Sequence, residues 1–112
     1  MSKVLRLAAS GVASLYGFTV EEIEDIKLAV SEVLIALIEH GSGEPVDVRF
    51  LVTADEFIAQ GSTTMGPTFN IDHPDLALCR VVLDDVCTEH SLGIVGTDVR
   101  ISATLRRPFS GA

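Results

Sequence analysis

The residues best equipped for chemistry are Glu32 and His40. They share a periodic stretch with Asp25, Ala29, Ala36 and Glu39, and at about 100° per residue all of these stay within roughly one quadrant of a helix. A carboxylate, a small residue and an imidazole then line up beside an apolar face. Spacing alone assigns that stripe no reaction: two polar residues on a helix flank read as a solvated edge, and no third group completes a nucleophilic triad. His40, His73 and His90 fall on separate elements with no ligand spacing, so no metal site is expected. There is no Walker-type or GxGxxG loop to hold phosphate. Gly93 and Gly96, within Leu92-Gly93-Ile94-Val95-Gly96-Thr97, read as a hairpin turn. Cys79 and Cys87 lack CxxC spacing and read as free thiols of a cytoplasmic protein.

The element that must position Glu32 and His40 has the clearest start in the chain. Thr19 lies three residues before Glu22, which is a capping box, and Phe18 and Ile23 flank it as a hydrophobic staple. The apolar series Ile23, Ile26, Val30, Val33, Leu37 then marks one buried face of a helix over about Val20–His40. An earlier helix is expected from Lys3 to Tyr16, with Val4, Leu7, Ala8, Val12 and Leu15 as its apolar face and Gly17 just past its end. Next, Val46, Val48, Phe50 and Val52 alternate with polar neighbours, the pattern of a half-buried strand. Phe57 to Gln60 pairs with it through a tight connection at Ala54-Asp55-Glu56. Gly61 to Asp72 reads as a loop of about 12 residues. A third helix begins at Pro74, capped by Asp72, with Leu76, Cys79, Leu83 and Val86 on its apolar side. A strand near Val86 to His90, a turn at Ser91 to Gly96 and a last strand through Val99, Ile101, Ala103 and Leu105 complete the order α, α, β, β, α, β, β. That order predicts an α+β two-layer sandwich, with helices on one face of a mainly antiparallel, mixed sheet.

Composition limits the class. The chain has 112 residues, 47% of them hydrophobic, with Lys+Arg 8 against Asp+Glu 16 and a net charge of −8. One globular domain is expected, over residues 1–107, with 108–112 as a frayed tail. The acidic balance argues against nucleic acid as a partner, since phosphate binding needs a basic face. No run approaches the roughly 18 apolar residues of a membrane span. Met1-Ser2-Lys3-Val4-Leu5-Arg6 has no signal-peptide layout, which again points to the cytoplasm.

The segment Ile26-Lys27-Leu28-Ala29-Val30-Ser31-Glu32 closely resembles the helix signature of the anti-sigma serine kinases, the RsbW/SpoIIAB-like branch of the histidine-kinase-like (GHKL, or Bergerat) ATPases. Leu5 to Gly17 resembles that family's preceding helix. Leu83-Asp84-Asp85-Val86 resembles its exit from the last helix, and Gly96-Thr97-Asp98-Val99-Arg100 its Gly-Thr-x-Val-Arg strand. The likeness covers most of the chain. It implies a general-base role for Glu32 and places His40 at the family's histidine. The Mg²⁺-holding asparagine falls at Ala36, whose methyl cannot coordinate a hard cation. The Asp-x-Gly-x-Gly motif that accepts the adenine falls at Gln60 and Gly61, with no acidic residue. The Gly-Leu-Gly-Leu phosphate cradle falls at His73-Pro74-Asp75-Leu76, where Pro74 removes an amide and Asp75 adds negative charge at a helix start. The family's first strand has no counterpart, which would leave a sheet edge for another chain.

The resemblance therefore implies a retained fold with a dismantled nucleotide site. It points to a homodimeric regulatory protein that binds a sigma factor or a STAS-domain anti-anti-sigma protein without ATP. An acidic surface suits a basic, polymerase-associated target. Two alternatives stay open: an ATP- and Mg²⁺-dependent serine kinase using Glu32, and a purely structural or oligomer-forming domain.

Overall fold

The computed structural model describes residues 2–107, so the tail at 108–112 lies outside the described residues. In chain order the elements are α1 (Ser2–Leu15), α2 (Val20–His40), β1 (Asp47–Val52), β2 (Glu56–Thr64), α3 (Pro74–Val86), β3 (Glu89–Val95) and β4 (Asp98–Arg106). The strands form one sheet in the order β1-β2-β4-β3. Every pairing in it is antiparallel, so the mixed character expected of the sheet is absent among the described residues. The helices form the second layer, and the α+β sandwich is the architecture found.

Strand parity sets the two faces of the sheet. Phe57, Ala59, Gly61 and Thr63 of β2 and Val99, Ile101 and Ala103 of β4 are buried, while Gln60 and Arg100 are exposed. α2 lies across these inward residues and divides the core in two. On one side Ile26, Val30 and Leu34 pack with Ala9, Ala13 and Phe57. On the other, Val33, Ala36 and Leu37 pack with Leu76, Cys79, Leu83, Val99 and Ile101. Gly61 lets the helix come close: a Cβ there would collide with Leu37 Cδ1 and crowd Val33 Cγ1.

Helix α2 starts as its capping box requires. Thr19 Oγ1 accepts from the Glu22 amide at 3.1 Å, and Glu22 Oε1 accepts from the Thr19 amide at 2.7 Å. Gly17 takes the left-handed φ of +81° that ends α1, a conformation costly for any residue with a Cβ.

Several local expectations are corrected. The buried face of α1 is Ala9 and Ala13 with Leu5 beside them, whereas Val4, Leu7 and Leu15 are 65%, 64% and 86% exposed. Apolar residues lie on both sides of that helix, so periodicity did not choose between them, and two alanines allow closer backbone approach than leucines. β2 continues through Thr64 where a loop from Gly61 was expected, because these residues pair with β4 as far as Thr64 opposite Asp98. α3 runs to Val86, and β3 covers Glu89–Val95 rather than ending at His90. Gly93 sits within the ladder opposite Arg100, and only Gly96, at φ +62°, makes the turn.

A candidate site between the end of α2 and the start of α3

A cleft of about 310 Å³ opens between α2 and α3, lined by Glu32, Ile35, Ala36, Glu39, His40, Asp75, Leu78 and Cys79. Glu32, Ala36, His40 and Asp75, which the sequence singled out, are thus brought together. His73 joins them: its ring meets that of His40 edge to face, with centroids 4.9 Å apart at 61°. A larger concavity of about 460 Å³ lies on the far face of the sheet, lined by residues including Arg49, Gln60, Ser62, Arg100 and Ser102. The smaller cleft is the better candidate, because it gathers carboxylates and imidazoles from two elements.

Gln60 and Gly61 are not part of it. Gln60 is exposed on the outer face of the sheet, opposite Arg49 and Ser102 in register. Gly61 is buried beneath Leu37 and Val33. Strand parity is the reason Gln60 lies apart from the other family positions: Ala59 faces the helices, so its neighbour must face away.

Burial pushes the Glu32 carboxyl above its ordinary range, and the nearby Glu39 charge adds to the effect. Cys79 Sγ donates to the Glu32 carbonyl at 3.8 Å. Burial, followed by the Glu32 charge, raises that thiol to about 11. Cys87 is raised to about 12 by burial, then by Asp25 and Cys79. Both thiols are protonated at neutral pH and are poor nucleophiles. They are free, as expected.

The start of α3 departs from expectation in one respect. Its cap is His73, not Asp72: His73 Nδ1 accepts from the Asp75 amide at 3.1 Å. The Asp72 amide instead donates to Asn70 Oδ1 at 3.0 Å. The His73 carbonyl accepts from the amides of Leu76 at 3.0 Å and Ala77 at 3.1 Å. Pro74 has no amide hydrogen. No amide in this first turn remains free for a phosphate oxygen, and the Asp75 carboxylate is present as well. Ala36, 6% exposed, offers a methyl to the core and no oxygen to a cation. The residues present do not fit Mg-ATP in the place the family resemblance would seat it.

Two features lay beyond what residue spacing shows. His40 Nε2 is buried with no hydrogen-bond partner among the described residues. Its approach to His73 joins positions far apart in sequence, and no spacing rule connects them. The resemblance could have suggested it, since it assigned both residues to one site. The third histidine is elsewhere: His90 Nε2 lies 2.7 Å from Asp84 Oδ1. No helix among the described residues is long and apolar enough to cross a membrane.

No family model matches the chain. Individual relatives do. It is 47% identical over 58 residues to the serine-protein kinase RsbW of Bacillus pumilus, covering 46% of this chain and 36% of that protein. To the RsbW of Bacillus subtilis it is 45% identical over 56 residues, 46% of this chain and 35% of that one. To the RsbW of Listeria monocytogenes it is 37% identical over 71 residues, 60% of this chain and 45% of that one. The chain spans less than half the length of the curated relatives it matches. Over part of its length the chain is similar to bacterial serine-protein kinases named RsbW.

Proposed function

We propose that this chain is an anti-sigma-factor-like regulatory domain that acts by binding a protein, a sigma factor or a STAS-domain anti-anti-sigma protein, without using ATP. The observation that carries the reading is the start of α3. In a relative of serine-protein kinases, its first-turn amides are already engaged and Ala36 supplies no ligand for Mg²⁺. What the scaffold retains is surface. Val4, Leu7 and Leu15 lie exposed at helical spacing along α1, which supports a protein contact over small-molecule chemistry.

The reading also takes the chain to act in the cytoplasm as a homodimer. The direct test is binding between the purified chain and the sigma factors and STAS-domain proteins of its host, by calorimetry without nucleotide. Saturable binding to either is expected, and absence of binding to both overturns the reading. Replacing Leu7→Glu should leave stability within about 0.5 kcal/mol while weakening a partner that docks on α1. Light scattering across concentration tests the dimer.

One observation favours a second reading, an ATP-dependent serine kinase. Glu32 lines the cleft with His40 and Asp75, and burial holds its carboxyl above the ordinary range, as a general base at that position would need. Titration with Mg-ATP separates the two: micromolar binding supports the kinase, and no binding at millimolar nucleotide removes it.

A further inference from the structure

We propose that His40, His73 and Asp75 form a binding site for a divalent transition-metal ion, with zinc the best-matched cation. The ligand atoms these residues offer all lie within 4.8 Å of one another. Donors on one tetrahedral zinc stand about 3.3 Å apart. The required closure is therefore on the order of 1.5 Å, shared among three side chains of which His73 and Asp75 stand at a helix start. The second, independent observation is the orphaned nitrogen. His40 Nε2 is buried without a hydrogen-bond partner, a costly arrangement that a metal would relieve.

The donor set decides the class of cation. Two imidazoles and one carboxylate suit zinc and its neighbours, whereas Mg²⁺ and Ca²⁺ demand oxygen ligands throughout. A neutral imidazole has one lone pair, and His73 gives its own to the Asp75 amide. Metal binding takes over that lone pair and exposes the amide at the tip of α3. The coordinated Asp75 carboxylate remains in the first turn, where the helix dipole favours negative charge. Three protein ligands leave a fourth position for water or an incoming carboxylate, and two of them, His40 and Asp75, line the same cleft as Glu32 and Glu39. A bound ion would join the end of α2 to the start of α3 and stabilise the fold by mass action. The site stands independently of the protein-binding reading above.

The test uses the full chain without a histidine tag. It is titrated with zinc by calorimetry, and with cobalt as a visible-absorbing substitute. Stoichiometric binding is expected, with a rise in Tm on zinc addition and none on magnesium addition. His40→Phe fills the same space without a ligand, and His73→Asn keeps a good capping side chain, so both variants should fold, as circular dichroism would verify. Each should weaken binding by at least about 10-fold, since even groups that only orient a ligand matter that much. His90→Ala should bind as the parent does. Three outcomes overturn the proposal: no binding at millimolar metal, parent-like affinity in His40→Phe and His73→Asn, or a cobalt spectrum dominated by thiolate bands that vanish in Cys79→Ser.

Discussion

At its N-terminal end α2 leaves few polar groups without a partner, whereas at its C-terminal end a buried imidazole nitrogen has none and two carboxylates oppose each other. Glu22 shows the first case. Besides closing the capping box with Thr19, its Oε2 accepts from Arg107 Nε at 3.2 Å. Arg107 also donates to the carbonyls of Ala54 and Gly17, each at 3.2 Å, and lies over the Phe18 ring at 4.9 Å. One guanidinium thus ties the end of β4 to the α1–α2 junction and the β1–β2 turn. At the other end Glu32 faces the charge of Glu39, and His40 Nε2 lacks a partner. The difference teaches where the fold is held and where it is left open to a ligand. Polar conflict concentrated beside a cleft is the pattern of a binding site, since a protein selected only for stability would pair or remove such groups.

The contrast can be broken at several points. Arg107→Ala should cause the largest loss, about 2 kcal/mol in urea unfolding, because it leaves Glu22 and two carbonyls without their charged donor. Thr19→Ala should cost about 1 kcal/mol by the same measurement, through loss of the cap. At the opposite end the sign should reverse. His40→Phe in metal-free buffer should be neutral or stabilising by up to about 1 kcal/mol, because it removes an unsatisfied buried nitrogen.

The smallest effect, about 0.5 kcal/mol or less, is expected for Glu32→Gln. Its sign follows from the raised carboxyl. The folded state takes up the proton before the unfolded state does, so Glu32 lowers stability above its folded pKa. That cost fades as pH falls through the raised folded pKa and is gone below the ordinary value of 4.5. Glu32→Gln should therefore raise Tm at neutral pH and converge with the parent in acid. Glu22 carries the opposite sign. Burial pushes its carboxyl up, but the Thr19 bonds and Arg107 outweigh burial and hold it below 4.5. The stability it contributes is present above the unfolded pKa and lost as pH falls through the lowered folded pKa. Glu22→Gln should thus lower Tm at neutral pH, and the gap to the parent should close in acid.

Legibility in the sequence followed the strength of the local chemistry. The bounds of α2 were readable because Thr19 and Glu22 form a cap that only a helix start satisfies. The alternation of β1 was readable because Val48, Phe50 and Val52 face a core while Asp47, Arg49 and Leu51 do not. The face of α1 was not, since Val4, Leu7 and Leu15 compete with Ala9 and Ala13, and only the neighbouring helix decides. Within the candidate site, Glu32, Ala36 and His40 could be aligned from helical spacing. The outward direction of Gln60 follows from strand parity alone. The meeting of His40 with His73 depends on how α2 and α3 dock, which no local pattern encodes.

The central claim is that the scaffold works through protein contact and not through the nucleotide. It is tested most directly by measuring the affinity of the chain for the sigma factors and STAS-domain proteins of its host, with and without Mg-ATP. Saturable binding with the same Kd in both conditions is the expected result. Binding that requires Mg-ATP, or that Glu32→Gln abolishes only when nucleotide is present, would contradict it.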